Sequence, residues 1–111
     1  MFDLSALGKG IVLVAGSFVA DTTAVPACKG VGFTVAHTSG ANPYVVTFTN
    51  TYDSFIGVLA TYEKTATSNV FAQIKSWSAG VLTIDLINVS GSAVEGAGRL
   101  NFVAIFKKGT V

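Results

Sequence analysis

The chain has 111 residues, and 7 Lys and Arg against 6 Asp and Glu give it a formal net charge of +1. This length supports one hydrophobic core, which excludes a second domain, and the balanced charge argues against nucleic acid or an anionic membrane as a partner. Half of the residues are hydrophobic and 12% are charged, about half the charged fraction of an ordinary globular protein. We therefore expect other copies of the chain, or a larger assembly, to cover part of its surface.

The first 20 residues contain an apolar run, Ile11 to Ala15, that superficially resembles a secretory signal. Asp3 lies where a signal would be basic, and Phe18 lies where a small residue would precede the cleavage site. The run is also too short to span a membrane. We expect no cleavage here and predict that Gly10 to Val19 forms a strand covered on both faces, with Gly16 at a bulge or a close approach.

The clearest local pattern is a β-hairpin between Gly30 and Asn50. Its two arms, Gly32 to Thr38 and Tyr44 to Thr49, are rich in Phe, Val, Thr and Tyr, and the turn formers Ser-Gly-Ala-Asn-Pro separate them. Alternation along each arm predicts one core face, with Phe33, Val35, Val46 and Phe48 buried.

Four further segments have the composition or alternation of strands: Ile56 to Glu63, Asn69 to Trp77, Val81 to Val89 and Arg99 to Lys107. Ser90 to Gly98 is a Gly, Ser and Ala loop. Seven or eight strands without a helix predict an all-β fold, an antiparallel two-sheet β-sandwich or jelly roll. The sandwich would span residues 10–107, between a lead-in arm at 1–9 and a tail at 108–111. Because the first and last strands are apolar on both faces, we expect a closed symmetric oligomer.

Residues that could support chemistry are sparse. His37 is the only histidine and lies beside a turn, and no Gly-x-Ser-x-Gly motif is present, so a structural or surface role is favoured over that of a general base. Cys28 is the only cysteine, and we predict that it is a small buried side chain. The carboxylates are scattered singly rather than in a facing pair. We therefore expect no enzyme activity, no metal and no cofactor.

Aromatic residues leave one alternative open. Trp77, Tyr44, Tyr52 and Tyr62 lie near predicted strand ends, where aromatic rings can either pack in a core or subunit interface or stack on a sugar. Packing is the favoured interpretation.

A resemblance to a protein family rests on the hairpin and the last strand. The pattern Gly32-Phe33-Thr34-Val35, a turn, then Tyr44-Val45-Val46-Thr47-Phe48, with a final strand containing Phe102 and Phe106, resembles small β-sandwich proteins of tailed bacteriophage particles over roughly Gly10 to Lys107. The resemblance implies a virion structural protein, often trimeric. We expect a capsid decoration protein that binds the major capsid protein on the outer surface of the phage head. The alternative is a tail-fibre or head-fibre domain that binds a host receptor or glycan.

Contacts with partners are expected from the lead-in arm, from the Ser90 to Gly98 loop and from the exposed aromatic residues. The candidate interface residues are Phe2, Leu4, Leu7, Trp77 and Val94.

Overall fold

The structure is a computed structural model that describes residues 2–3, 10–64 and 69–107. These residues contain nine β-strands and no helix, and therefore no helix that could cross a membrane. The strands are β1 (Phe2–Asp3), β2 (Ile11–Ala20), β3 (Cys28–Lys29), β4 (Phe33–His37), β5 (Tyr44–Phe48), β6 (Ser54–Lys64), β7 (Val70–Ser78), β8 (Val81–Asn88) and β9 (Gly98–Lys107).

The strands form two antiparallel sheets that pack face to face. Sheet A has the order β1-β2-β9-β6, with the short β3 also paired to β2, and sheet B has the order β4-β5-β8-β7. The hairpins β4–β5 and β7–β8 both lie within sheet B, whereas β2, β6 and β9 belong to sheet A. This arrangement confirms the predicted antiparallel β-sandwich, and the seven strands of five or more residues account for the predicted count.

The core lies between the sheets and follows the period-two alternation of the strands. The four side chains predicted to be buried, Phe33, Val35, Val46 and Phe48, are all 8% exposed or less. Among the residues that the structure describes, the other twelve buried hydrophobic ones are Val12, Val14, Phe18, Ala20, Tyr44, Leu82, Ile84, Leu86, Leu100, Phe102, Ala104 and Phe106.

Gly16 marks a close approach between the sheets rather than a bulge. The β2–β9 register runs without a shift from Ile11 opposite Lys107 to Ala20 opposite Gly98. A Cβ atom at Gly16 would collide with the Phe33 ring of sheet B, and that ring packs edge-on against Phe102, with 4.9 Å between ring centroids. The glycine therefore makes room for an aromatic ring of the opposite sheet.

One prediction about burial is wrong. Cys28 is exposed rather than buried, because the two-residue strand β3 lies at the edge of sheet A. Its Sγ donates to the Pro26 carbonyl oxygen at 3.3 Å. Partial desolvation raises the pKa of the Cys28 thiol, so the less reactive protonated form is favoured.

Candidate interaction surface

The outer face of sheet A is apolar over half of its length. In β2 and β9, the residues between the core positions also include large aliphatic side chains. The register places Leu13 opposite Ile105 and Ala15 opposite Val103. These four residues therefore lie side by side on the face that points away from sheet B.

Strand β6 extends this apolar surface through a bulge. Its register shifts between Phe55 and Gly57, and both Phe55 and Val58 pack against the core. Ile56 and Gly57 consequently both face outward. Leu59, which is paired with Val103, is 71% exposed, and Ile56 is 54% exposed.

We call this surface the outer apolar patch. It consists of Ile11, Leu13, Ala15, Ile56, Leu59, Val103 and Ile105.

A polar band occupies the other half of the same face. Ser17, Asn101 and Thr61 form one row across β2, β9 and β6, and Arg99 lies opposite Glu63 in the next row. Arg99 Nη1 donates to Ser17 Oγ at 3.2 Å. Because one half of the face is apolar and the other half is polar, a partner with a matching division of its surface would bind in one orientation rather than in others.

The size of the outer apolar patch indicates which part of an interface it would supply. Three strands and five residues along each strand cover about 14 by 16 Å. Stable interfaces bury roughly 800 Å² on each partner, and their fully buried centre is apolar while the rim is polar. The patch therefore has the dimensions of an interface centre, and the polar band is placed to serve as part of its rim.

At one end of the sandwich, His37 and Tyr44 form a buried polar pair. His37 is 5% exposed and Tyr44 is fully buried, and their rings stack with centroids 3.9 Å apart. His37 Nε2 lies 3.2 Å from the Asn42 carbonyl oxygen, whereas its Nδ1 has no hydrogen-bond partner. The ring is thus packed inside the sandwich, and the structural role of His37 stays a prediction.

The Tyr44 hydroxyl joins two loops at this end. It donates to the Asp21 carbonyl oxygen at 2.9 Å and accepts from the Gly96 N–H at 3.3 Å. Burial, aided by the nearby charges of Glu95 and Asp21, raises the pKa of Tyr44 to about 12, although the Gly96 hydrogen bond acts in the opposite direction. The group is therefore neutral at physiological pH and acts as a fixed crosslink.

Hydrogen bonds hold the Ser90 to Gly98 loop against three other parts of the sandwich. The Val94 N–H donates to the Leu86 carbonyl oxygen at 2.8 Å. Glu95 Oε2 accepts from the Gly40 N–H at 2.6 Å. The Ala97 N–H donates to the Tyr62 hydroxyl at 2.7 Å. The segment thereby connects β8 to the hairpin turn and to β6.

The candidate interface residues predicted from the sequence fall into three groups. Leu4 and Leu7 lie outside the described residues. Phe2 belongs to β1 and pairs with Leu13 of β2, which is a residue of the outer apolar patch. Trp77 and Val94 are partly exposed and pack against the core of their own chain. Their contacts with partners stay predictions.

Sequence reasoning identified the double-sided strands but missed the contribution of β6. Leu59 and Ile56 are the most exposed large residues of the outer apolar patch, and the bulge interrupts the alternation that would have assigned them to one face. Two apolar residues in succession at Val58 and Leu59 were the available signal.

No group of three or more His, Cys, Asp or Glu side chains that could hold a metal ion occurs in residues 10–64 and 69–107. Comparison with protein-family models, curated proteins and solved structures finds no match to this chain.

Proposed function

We propose that this chain is a structural protein of a tailed bacteriophage particle, a decoration protein that forms a homotrimer on the outer surface of the capsid. The observation that carries the proposal is the outer apolar patch, which leaves Leu59 71% exposed in the single chain. Around a three-fold axis, the same patch from three copies meets at the centre, so a closed trimer removes it from water.

Binding to the major capsid protein would need no chemistry from the chain. A protein that binds only the assembled capsid stabilises that state by mass action, through added interface area and hydrogen bonds. The small number of charged residues, 13 of 111, favours contacts of this kind over electrostatic ones.

The test uses phage heads assembled without this chain. Adding the purified protein should decorate the heads in electron micrographs and raise the temperature at which they rupture. Heads that neither bind the chain nor gain thermal resistance would contradict the assignment.

The alternative, a fibre domain that binds a receptor or glycan, needs an accessible ligand site. Tyr44 is fully buried and is unsuited to stacking on a ligand. Tyr52 and Trp77, by contrast, line an open pocket. A ligand could enter this pocket in a decoration protein as well as in a fibre domain.

A further inference from the structure

A pocket of about 400 Å³ opens at the end of the sandwich opposite His37. The segment from Phe48 to Phe55 forms one wall, and the Ala79–Gly80 turn between β7 and β8 forms the other. The volume is within the range of small-molecule sites.

Aromatic rings form the apolar part of this pocket and are held from behind. Tyr52 stacks on the buried Phe106 ring, with 4.4 Å between centroids and 22° between planes. Trp77 stacks on Phe55 at 4.5 Å and 13°. Tyr52, Phe55 and Trp77 are nevertheless partly exposed. Because these neighbours already hold the rings, a ligand would not have to order them on binding.

Polar side chains surround the rings on the segment that links β5 to β6. Asp53, Thr51 and Ser54 line the pocket and are exposed. The Asp53 N–H donates to the Lys107 carbonyl oxygen at 2.9 Å, and Ser54 pairs with the same residue in the sheet. The backbone that carries the carboxylate is therefore fixed to β9.

The opposite wall contains a strained residue. Ala79 has φ of 50° and Gly80 has φ of 83°, as a two-residue turn with both central residues in the left-handed region requires. Glycine or asparagine is the usual residue at the first position, because the Cβ of an alanine there lies too close to the following carbonyl oxygen. Strain of this kind is concentrated at ligand sites.

We propose that this pocket binds a neutral saccharide. The C–H face of a sugar ring packs on an aromatic ring, the Asp53 carboxylate accepts hydrogen bonds from sugar hydroxyls, and the Thr51 and Ser54 hydroxyls both donate and accept. The carboxylate disfavours an acidic sugar or a phosphorylated ligand by charge repulsion. The inference does not depend on trimer formation, because the outer apolar patch is composed of other residues.

Trp77 is the only tryptophan of the chain, so intrinsic fluorescence reports directly on this pocket. The wild-type protein is titrated with the methyl glycosides of glucose, galactose and mannose and with maltotriose, and calorimetry provides a second readout. We expect a saturable signal with at least one of them, and for a methyl glycoside, which has about 13 non-hydrogen atoms, a Kd on the order of 1 mM. Galacturonate, the acidic counterpart of galactose, should not bind.

Two variants locate the binding. Asp53→Asn should weaken binding about tenfold by removing the charged acceptor, and Tyr52→Leu should abolish it by removing the flat ring while retaining an apolar contact with Phe106. Asp85→Asn, the same chemical change on β8 outside the pocket, should bind like wild type. The absence of a saturable signal with every neutral sugar would overturn the proposal. Equal binding by wild type, Asp53→Asn and Tyr52→Leu, or equal binding of galacturonate, would do the same.

Discussion

The contact between Gly16 and Phe33 determines how closely the two sheets pack at one point of the core. Phe33 is 8% exposed and packs edge-on on Phe102, so its ring cannot move aside without disturbing a second aromatic residue. Protein interiors are close-packed, and an added methyl group is accommodated only by shifting its neighbours.

Gly16→Ala should therefore lower the free energy of unfolding by about 1–3 kcal/mol. Urea denaturation measures this change. The matched control is the same substitution in a Phe33→Leu background, where the smaller side chain leaves room and the cost should shrink. An equal cost in both backgrounds would show that Phe33 is not the obstacle.

Tyr44 makes the stability of the chain depend on pH at the alkaline end. Its pKa is raised to about 12 in the folded protein, whereas a tyrosine in the unfolded chain has a pKa of about 10. Between these values the unfolded state loses the proton and the folded state keeps it, so the stabilisation is complete below pH 10 and is lost as pH rises through 12.

We predict that the melting temperature of the wild-type protein falls between pH 10 and pH 12 and that Tyr44→Phe flattens this part of the profile. The variant should also be less stable at pH 7, by about 1–3 kcal/mol, because the Gly96 N–H and the Asp21 carbonyl lose their partner. Parallel profiles for the two proteins between pH 10 and 12 would contradict this role of Tyr44.

At the scale of elements, the long strands were predictable because their alternation and β-branched composition act over six or more residues. The predicted Val81 to Val89 strand became β8 (Val81–Asn88), and Arg99 to Lys107 became β9 (Gly98–Lys107). The two-residue strands β1 and β3 carry no such pattern. They depend on pairing with β2, a long-range contact that local sequence does not encode.

The connection between β7 and β8 is the two-residue turn Ala79–Gly80, with both residues at positive φ, and its strain is testable. Ala79→Gly should raise the free energy of unfolding by about 0.5–1 kcal/mol, because relief of the left-handed alanine outweighs the added entropy of the unfolded chain.

The matched control for that substitution is Ala41→Gly, at an exposed position whose φ is not positive. Only the entropic cost applies there, so stability should fall by about 0.4–1 kcal/mol. Chemical denaturation of the two variants should give shifts of opposite sign, and a destabilised Ala79→Gly protein would refute the strain.

At the scale of the whole molecule, composition predicted that a surface needs a partner but not which surface. The position of the outer apolar patch depends on the register of β2 with β9 and on the bulge in β6, which together bring Leu13, Ile105 and Leu59 onto one face. Neither feature is visible in a single strand. Sequence reasoning named Tyr52 and Trp77 among the aromatic residues that could stack on a sugar, but it could not predict their shared pocket, because its two walls come together only in the folded sandwich.

Sedimentation equilibrium measures whether the outer apolar patch is buried between copies of the chain. Leu59→Asp places a charge in the patch, and Phe71→Asp places one on the outer face of sheet B, at a residue that is 54% exposed. We predict that the wild-type protein and Phe71→Asp have the mass of a trimer, whereas Leu59→Asp is a folded monomer with an unchanged far-ultraviolet circular dichroism spectrum. A monomeric wild-type protein, or a Leu59→Asp variant that still sediments as a trimer, would contradict it.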